Sequence, residues 1–235
     1  MIEVLGIGIA DGATDWLMRR VCARISPGAL TLVVSPRAQG RRAFLDALAG
    51  RRVPQEGRVW VNGIPVTRET AGWLRRRVAE VELSAPLLEH RSLLWNTLAV
   101  APRGLRTMRG CIRLPQPAAR RAAAAALESV ELGGDVGQPV SALPGWGRMH
   151  VRIARALARR PECLLAREVD LALPAEEAQA VLTLLRGVAR RLSLMAIASV
   201  EDEWLAHCAG DHVVTLDGCG LASTAFDRRD SEIGA

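Results

Sequence analysis

Apolar and polar positions along this chain change period repeatedly, and the changes predict its elements. Residues 1–9, Met-Ile-Glu-Val-Leu-Gly-Ile-Gly-Ile, alternate well enough for a first strand, and Leu17 to Ile25 predicts a second. The turn Ser26-Pro27-Gly28 then leads into the apolar run Leu30 to Val34, which reads as a buried core strand. Phe44, Leu45 and Leu48 recur on one face of a predicted helix that ends at Gly50. Strand Arg58 to Val61 with the turn Asn62-Gly63 is a hairpin signal. A short helix around Trp73 to Arg77 precedes a strand at 78–83. Residues 86–142 are helix-rich, with prolines at 102, 115 and 117 and an alanine run from Ala122 to Ala126. Beyond them the pattern predicts a helix over 149–160, a strand at 163–166, a helix at about 175–191 and a strand at 194–199. A helical stretch through Trp204 and a last strand, His212 to Leu216, before the turn Asp217-Gly218 complete the order. Strands alternating with helices imply an α/β fold, its sheet largely parallel and covered on both faces.

The stretch Leu30 to Gly50 is a strand, a short turn and a helix, the frame in which the phosphate-binding loop G-x-x-x-x-G-K-[ST] occurs. On that pattern Ser35 takes the first glycine, Gly40 the second, Arg41 the lysine and Arg42 the Ser/Thr. Such a loop turns backbone N–H groups and a helix N-terminus onto an anion, while lysine reaches the phosphates and the hydroxyl holds Mg²⁺. Arg41 keeps the charge on a wider, planar fork, and Arg42 and Ala43 offer a metal no oxygen. An ordinary strand–turn–helix with basic residues is the competing reading of these residues.

Composition narrows the class. The 235 residues carry a net charge of +6, and all 31 basic residues are arginine. Lysine and tyrosine are absent, which a coding bias explains and which extends to the arginine at 41. Arginine pairs are scattered along the chain, and aromatic residues make up 3% of it, so no basic stripe interleaved with stacking rings points to nucleic acid. Cys22, Cys111, Cys163, Cys208 and Cys219 form no C-x-x-C pair, as expected of reduced thiols in a cytosolic protein. His90, His150, His207 and His212 have no metal-ligand spacing, and no metal site is expected. No run of 18 apolar residues occurs and the N-terminus does not read as a signal peptide, so a soluble chain is expected.

The order and spacing resemble the ATP-binding cassette of ABC transporters over essentially the whole chain. Leu48-Ala49-Gly50, Pro54-x-x-Gly57 and Val59-x-Val61-Asn62-Gly63 look like the family's stretch after its phosphate loop. Pro86-Leu87-Leu88 with Leu93 to Asn96 is similar to the exit of its Q-loop and the next helix. Val151 to Leu157 followed by Arg160-Pro161-Glu162-Cys163-Leu164-Leu165 looks like the helix after the signature motif running into the Walker B strand. Asp211 to Gly218 is like the closing strand and turn.

The resemblance implies an α/β core of residues 1–85 and 148–235, with a parallel sheet and an antiparallel N-terminal β subdomain. A helical subdomain, 86–147, is inserted in it. At the functional motifs the chain departs from the family. The signature L-S-G-G-Q is replaced by Leu143, Pro144, Gly145, Trp146 and Gly147, where Pro144 removes a hydroxyl and an N–H. The Walker B aspartate falls on Arg167, the Q-loop glutamine on Leu83, the switch histidine on Val200 and the D-loop aspartate on Pro174. No aromatic stands near residue 11 to stack an adenine. Glu168 matches the family's general base and is a vestigial candidate, equally readable as a carboxylate paired with arginine. Arg37, Arg41, Arg42 and Arg167 would crowd one site, which could bind an anion, repel itself or be capped by Glu168. The expectation is a degenerate cassette, a pseudo-ATPase without cofactor, at the cytoplasmic face of the membrane. A permease would meet it at Leu87, Leu88, Leu94 and Trp95, beside a second, competent ATPase subunit. The alternatives are an active ATPase with an atypical site, using ATP and Mg²⁺, and a soluble scaffold outside transport.

Overall fold

The computed structural model describes residues 1–12, 15–98 and 117–216. The expected turn Asp217-Gly218, prolines 102 and 115, Cys111 and Cys219 lie outside these. The described chain divides into two compact units, Met1–Val78 with the chain from Leu165 onward, and Ala79–Leu164.

The chain opens with β1 (Ile2–Asp11) and β2 (Asp15–Ile25), paired antiparallel. Inward residues Ile2, Val4, Ile7, Ile9, Met18, Val21 and Ile25 are fully buried. The alternation breaks where Gly6 and Arg20 take positive φ and shift the register, which is how a bulge re-aims a strand. Next come β3 (Leu30–Val34) and α1 (Ala38–Leu48), then β4 (Glu56–Val61) and the short β5 (Ile64–Pro65) of the hairpin read at Asn62-Gly63. These strands form an antiparallel sheet in the order β2-β1-β4-β5. At the β1–β4 crossing a Cβ on Gly57, at φ +70°, would lie 2.4 Å from the backbone of Leu5 and Gly6. Only glycine fits there.

After α2 (Ala71–Arg77) the strand β6 is Val78–Val81, two residues shorter than its apolar run suggests. Helices α3 (Leu93–Leu98), α4 (Pro117–Ser129) and α5 (Gly145–Leu157) follow. Helix α4 carries the alanine run, burying Ala123, Ala126 and Leu127. Helix α5 starts four residues earlier than expected, with Pro144 as its N-cap in an extended conformation, φ −63° and ψ 165°. Then come β7 (Cys163–Ala166), α6 (Val169–Ala172) and α7 (Ala175–Leu192), which turns off at Ser193 in the left-handed conformation. Strand β8 (Met195–Val200), α8 (Glu203–Ala209) and β9 (His212–Thr215) complete the described elements.

The second sheet has the order β6-β7-β8-β3-β9. Every residue of β3 is buried, as a strand covered on both faces requires, and it pairs in parallel with β8 and β9. The register sets Leu30 against Ala196 and Val34 against Val200. Strands β3 and β8 therefore end level, and the residues that follow them, Ser35 and Glu201, emerge side by side. In open α/β sheets that end is where ligands bind.

Candidate active site

Helix α1 decides what this end of the sheet can do. A phosphate loop keeps its backbone non-helical as far as the second glycine, so that its N–H groups stay free. Here Arg37-Ala38-Gln39 contains good helix formers, and α1 begins at Ala38. The N–H groups of Gly40 and Arg41 donate to the Arg37 carbonyl, at 3.0 and 3.3 Å. Gly40 has no positive φ, and a Cβ added to it would meet its neighbours at 3.5 Å or more. The second glycine of the motif is thus an ordinary helical residue.

Arg41 lies on the buried face of α1 with 0% exposure, among Ala43, Phe44, Leu45, Ala47 and Leu48. Its Nη1 donates to the Ser35 carbonyl and its Nη2 to Glu201 Oε2 at 3.2 Å, while Nε is buried with no acceptor. Ser35 itself accepts the Arg37 N–H at Oγ, 3.2 Å away. The side chain in the lysine position is folded back onto its own loop.

One residue on, Arg42 forks onto Glu168, with Nε to Oε1 at 3.1 Å and Nη2 to Oε2 at 2.9 Å. Glu168 follows β7 in the left-handed conformation at φ 48°, and its N–H donates to Ser199 Oγ at 2.9 Å, which fixes it beside β8. The hydrogen bonds from Arg42 hold the Glu168 carboxyl below the usual carboxylate range against a smaller opposing effect of burial, and the charges of Arg42, Arg41 and Arg167 add to the lowering. A general base at neutral pH needs the opposite displacement and a free lone pair. The reading of Glu168 as an arginine-paired carboxylate is the one this geometry carries.

Arg167 donates from Nη2 to Asp46 Oδ1 at 2.7 Å and from Nη1 to the Arg42 carbonyl at 3.4 Å. Three of the four arginines expected to crowd this end of the sheet thus meet a carboxylate: Arg41 with Glu201, Arg42 with Glu168, Arg167 with Asp46. Arg37 stands exposed before α1. Glu201 and Asp46 were not among the residues singled out from sequence. Glu201 was findable from the level ends of β3 and β8, and Asp46 from its place one turn after Arg42 on α1.

These residues do not fit a nucleotide with Mg²⁺. The backbone donors at 40 and 41 are spent within α1, the Arg41 side chain faces inward, and arginines stand at 42 and 167, where the resemblance would put a metal-holding oxygen. Leu83 and Val200, at the glutamine and histidine positions, are buried apolar side chains. Among the described residues no group of three His, Cys, Asp or Glu side chains could hold a metal ion.

In the unit Ala79–Leu164, the signature residues divide. Leu143 and Pro144 precede α5, whereas Gly145, Trp146 and Gly147 form its first turn and not a loop. Trp146 is 57% exposed and meets His150 edge-on at 5.1 Å, one turn along the helix. The same helix shapes the segment expected to face a permease. Arg148, Arg152 and Arg155, spaced one turn apart, reach Glu89, the Ala85 carbonyl and the Pro86 carbonyl at 3.0–3.1 Å. The fully buried Asn96 accepts the Leu88 N–H at 2.8 Å and donates to the carbonyls of Leu88, Arg91 and Ser92. Held this way, Leu88 is 52% exposed. Leu87, Leu94 and Trp95 are half-buried, with Arg91 over the Trp95 ring at 5.4 Å. The expected apolar face is therefore narrower than the run of leucines suggests. The arginine spacing on α5 is the signal in the sequence that reports this support.

Comparison with known proteins places these features. The family model for ABC transporters matches residues 18–169. The chain is similar to a phosphonates import ATP-binding protein, PhnC 1, of Natronomonas pharaonis, with 31% identity over 89% of each chain. It is 29% identical to the methionine import ATP-binding protein MetN of Rhodospirillum rubrum over 86% of this chain and 56% of that one. In structure it is similar to cbiO1 of Clostridium perfringens, part of the ABC transporter complex cbiONQ. The TM-score is 0.79 at 16% identity, covering 99% of this chain and 90% of that one. The ADP conformation of MJ1267, an ATP-binding cassette of an ABC transporter, gives a TM-score of 0.76 at 16% identity, with 100% and 99% covered.

Proposed function

The chain belongs to the ABC transporter family as an ATP-binding cassette, and from that premise we propose that it is a pseudo-ATPase subunit of a membrane transporter. In this reading it docks a permease and works beside a second cassette that supplies turnover. The observation that supports it is the closure of the phosphate end of α1 by the chain's own groups, the Arg37 carbonyl on the backbone donors and Glu201, Glu168 and Asp46 on the arginines. Losing one preorganised contact to developing charge costs about 10² to 10³ in rate. Here the lysine, the metal-holding hydroxyl, the metal-linked aspartate and a usable base are lost together, and little of an NTPase's acceleration survives. The import-protein names of the relatives support import as the direction of transport.

The docking face is the helical subdomain, 86–147, at Leu87, Leu88, Leu94 and Trp95. An exposed Leu88 on the segment that also carries half-buried Trp95 supplies the aliphatic and aromatic side chains that interfaces use as anchors. No helix among the described residues is long and apolar enough to cross a membrane, which accords with a peripheral subunit at the cytoplasmic face.

Phosphate release with ATP and Mg²⁺, from the purified chain alone and from its complex with permease, tests the catalytic half. No turnover is expected, and Glu168→Gln is expected to change nothing. Glu168-dependent turnover at ordinary ABC rates would replace this reading with that of an active ATPase using an atypical site. Trp95→Ala tests the docking half and is expected to weaken co-purification with permease. Undiminished recovery of the complex moves the interface elsewhere.

A further inference from the structure

We propose that Glu201 and Glu168 are tethered anions that do the holding task of phosphates in this cassette, fastening α1 to the ends of β8 and β7. Neutralising them would uncover an oxyanion site that takes a compact polyphosphate without a divalent cation. The proposal rests on the pseudo-ATPase reading and gives its closed site a physical cause.

Burial in the Arg41–Glu201 pair is lopsided. The guanidinium side chain is 0% exposed and the carboxylate 52% exposed. A guanidinium stays charged at any accessible pH, so Arg41 needs an anion whatever happens to Glu201. Its buried Nε still lacks an acceptor, so one carboxylate oxygen at Nη2 and one carbonyl at Nη1 leave the fork incompletely served. A polyphosphate offers several oxygens to such a fork, and arginine pairs with phosphate in a bidentate manner. Arg42, 60% exposed in its side chain, stands one residue on with both arms on Glu168. With the two glutamates neutral, Arg41 and Arg42 would lose the carboxylates they pair with, leaving Asp170, which accepts the N–H groups of Glu201 and Asp202, as the nearby acid. A buried guanidinium without its partner is costly, and an external anion offering several oxygens would offset that cost. Asp46 keeps Arg167 occupied in either state.

The two pairs join residues 160 and 126 positions apart, so they are long-range fasteners and not local helix contacts. A cassette fastened this way holds α1 against the strand ends whether or not nucleotide is present.

Chemical rescue tests the inference. Thermal unfolding of the parent and of Glu168→Gln/Glu201→Gln is followed with and without inorganic pyrophosphate, at millimolar concentration and free of Mg²⁺, with sulfate as a control at matched ionic strength. The double variant is expected to melt below the parent. Pyrophosphate is expected to restore part of the loss and to bind the variant at least tenfold tighter than the parent by calorimetry. Should the double variant fail to fold, Glu201→Gln alone carries the same comparison. A variant that melts with the parent, or gains no pyrophosphate affinity over it, overturns the inference and leaves the pseudo-ATPase reading intact. Binding of ATP with Mg²⁺ and turnover by the parent overturn that reading, whatever pyrophosphate does.

Discussion

Replacing Asp211 by asparagine measures how much of the larger unit hangs on one carboxylate. Asp211 precedes β9 and is 8% exposed. One oxygen accepts the Leu30 N–H at 3.0 Å, and the other accepts Arg186 Nε at 2.8 Å and Arg190 Nη2 at 2.7 Å, both from α7. The start of the central strand is thereby tied to the helix lying over it. Burial alone would raise the Asp211 pKa. The Leu30 N–H and the two guanidinium groups outweigh it and hold the carboxyl below its ordinary value. Asparagine keeps the shape but loses the charge, and it turns N–H groups toward either Leu30 or the arginines. A hydrogen bond to a charged group is worth about 1.5–3 kcal/mol. The Arg190 side chain is 56% exposed and is discounted for solvent screening, whereas Arg186 at 25% counts nearly in full. The sum is about 2–4 kcal/mol, or roughly 5–12 °C in Tm for a chain of this size. Because the folded pKa is the lower one, this stability is present above the unfolded carboxyl's pKa and is lost as pH falls through the folded value. Melting curves of the parent and Asp211→Asn at pH 7 and at stepwise lower pH check both points. The gap should be full at pH 7 and shrink once the parent's carboxyl protonates. A gap below about 2 °C at pH 7, or one indifferent to acid, refutes the reasoning.

Two glycines should respond in opposite ways. Gly57→Ala puts a Cβ 2.4 Å from the Leu5 and Gly6 backbone at a φ of +70°, and a Tm fall of more than about 10 °C or loss of soluble protein is expected. Gly40→Ala adds a methyl group at ordinary contact distance inside α1 and should leave Tm unchanged or raise it, by about 0.5–1 kcal/mol of stability. A steep loss at Gly40 in melting experiments would mean that the backbone there is not that of an ordinary helical residue. Burial pushes the Cys163 thiol up to about 12, so maleimide followed by peptide mapping should mark exposed Cys22 and Cys208 in the native protein and reach Cys163 only in denaturant.

The fold was largely legible because its signals are periodic. Leu30 to Val34 could only be a strand covered on both faces, and α7 shows its buried stripe at Ala178, Val181, Leu182, Leu185 and Val188. Boundaries were less so. The start of α5 depends on how Pro144 and two glycines share a first turn, which periodicity does not report, and α6 is too short to have a period. At the site, the positions that depart from the family pattern could be read one by one, but their partners could not. Arg41 meets Glu201 because β3 and β8 end level, a matter of register 160 residues apart. The closing of the loop by the Arg37 carbonyl follows from helix propensity at Arg37-Ala38-Gln39, a local signal that attention to the missing lysine obscured.

The place of β3 between β8 and β9 also has a consequence for biosynthesis. This five-residue, wholly buried strand leaves the ribosome well before its two neighbours, Leu30 meeting Asp211 across 181 positions. At elongation of about 5–20 residues per second, that interval lasts roughly 10–35 s. Throughout it the antiparallel sheet of β1, β2 and β4 can assemble from neighbouring sequence, while Leu30 to Val34 stays an unpaired hydrophobic edge. Nascent-chain handling by holdase chaperones should therefore concentrate on this segment, and conditions that slow translation should lower soluble yield more than changes in the surface charge of the finished protein.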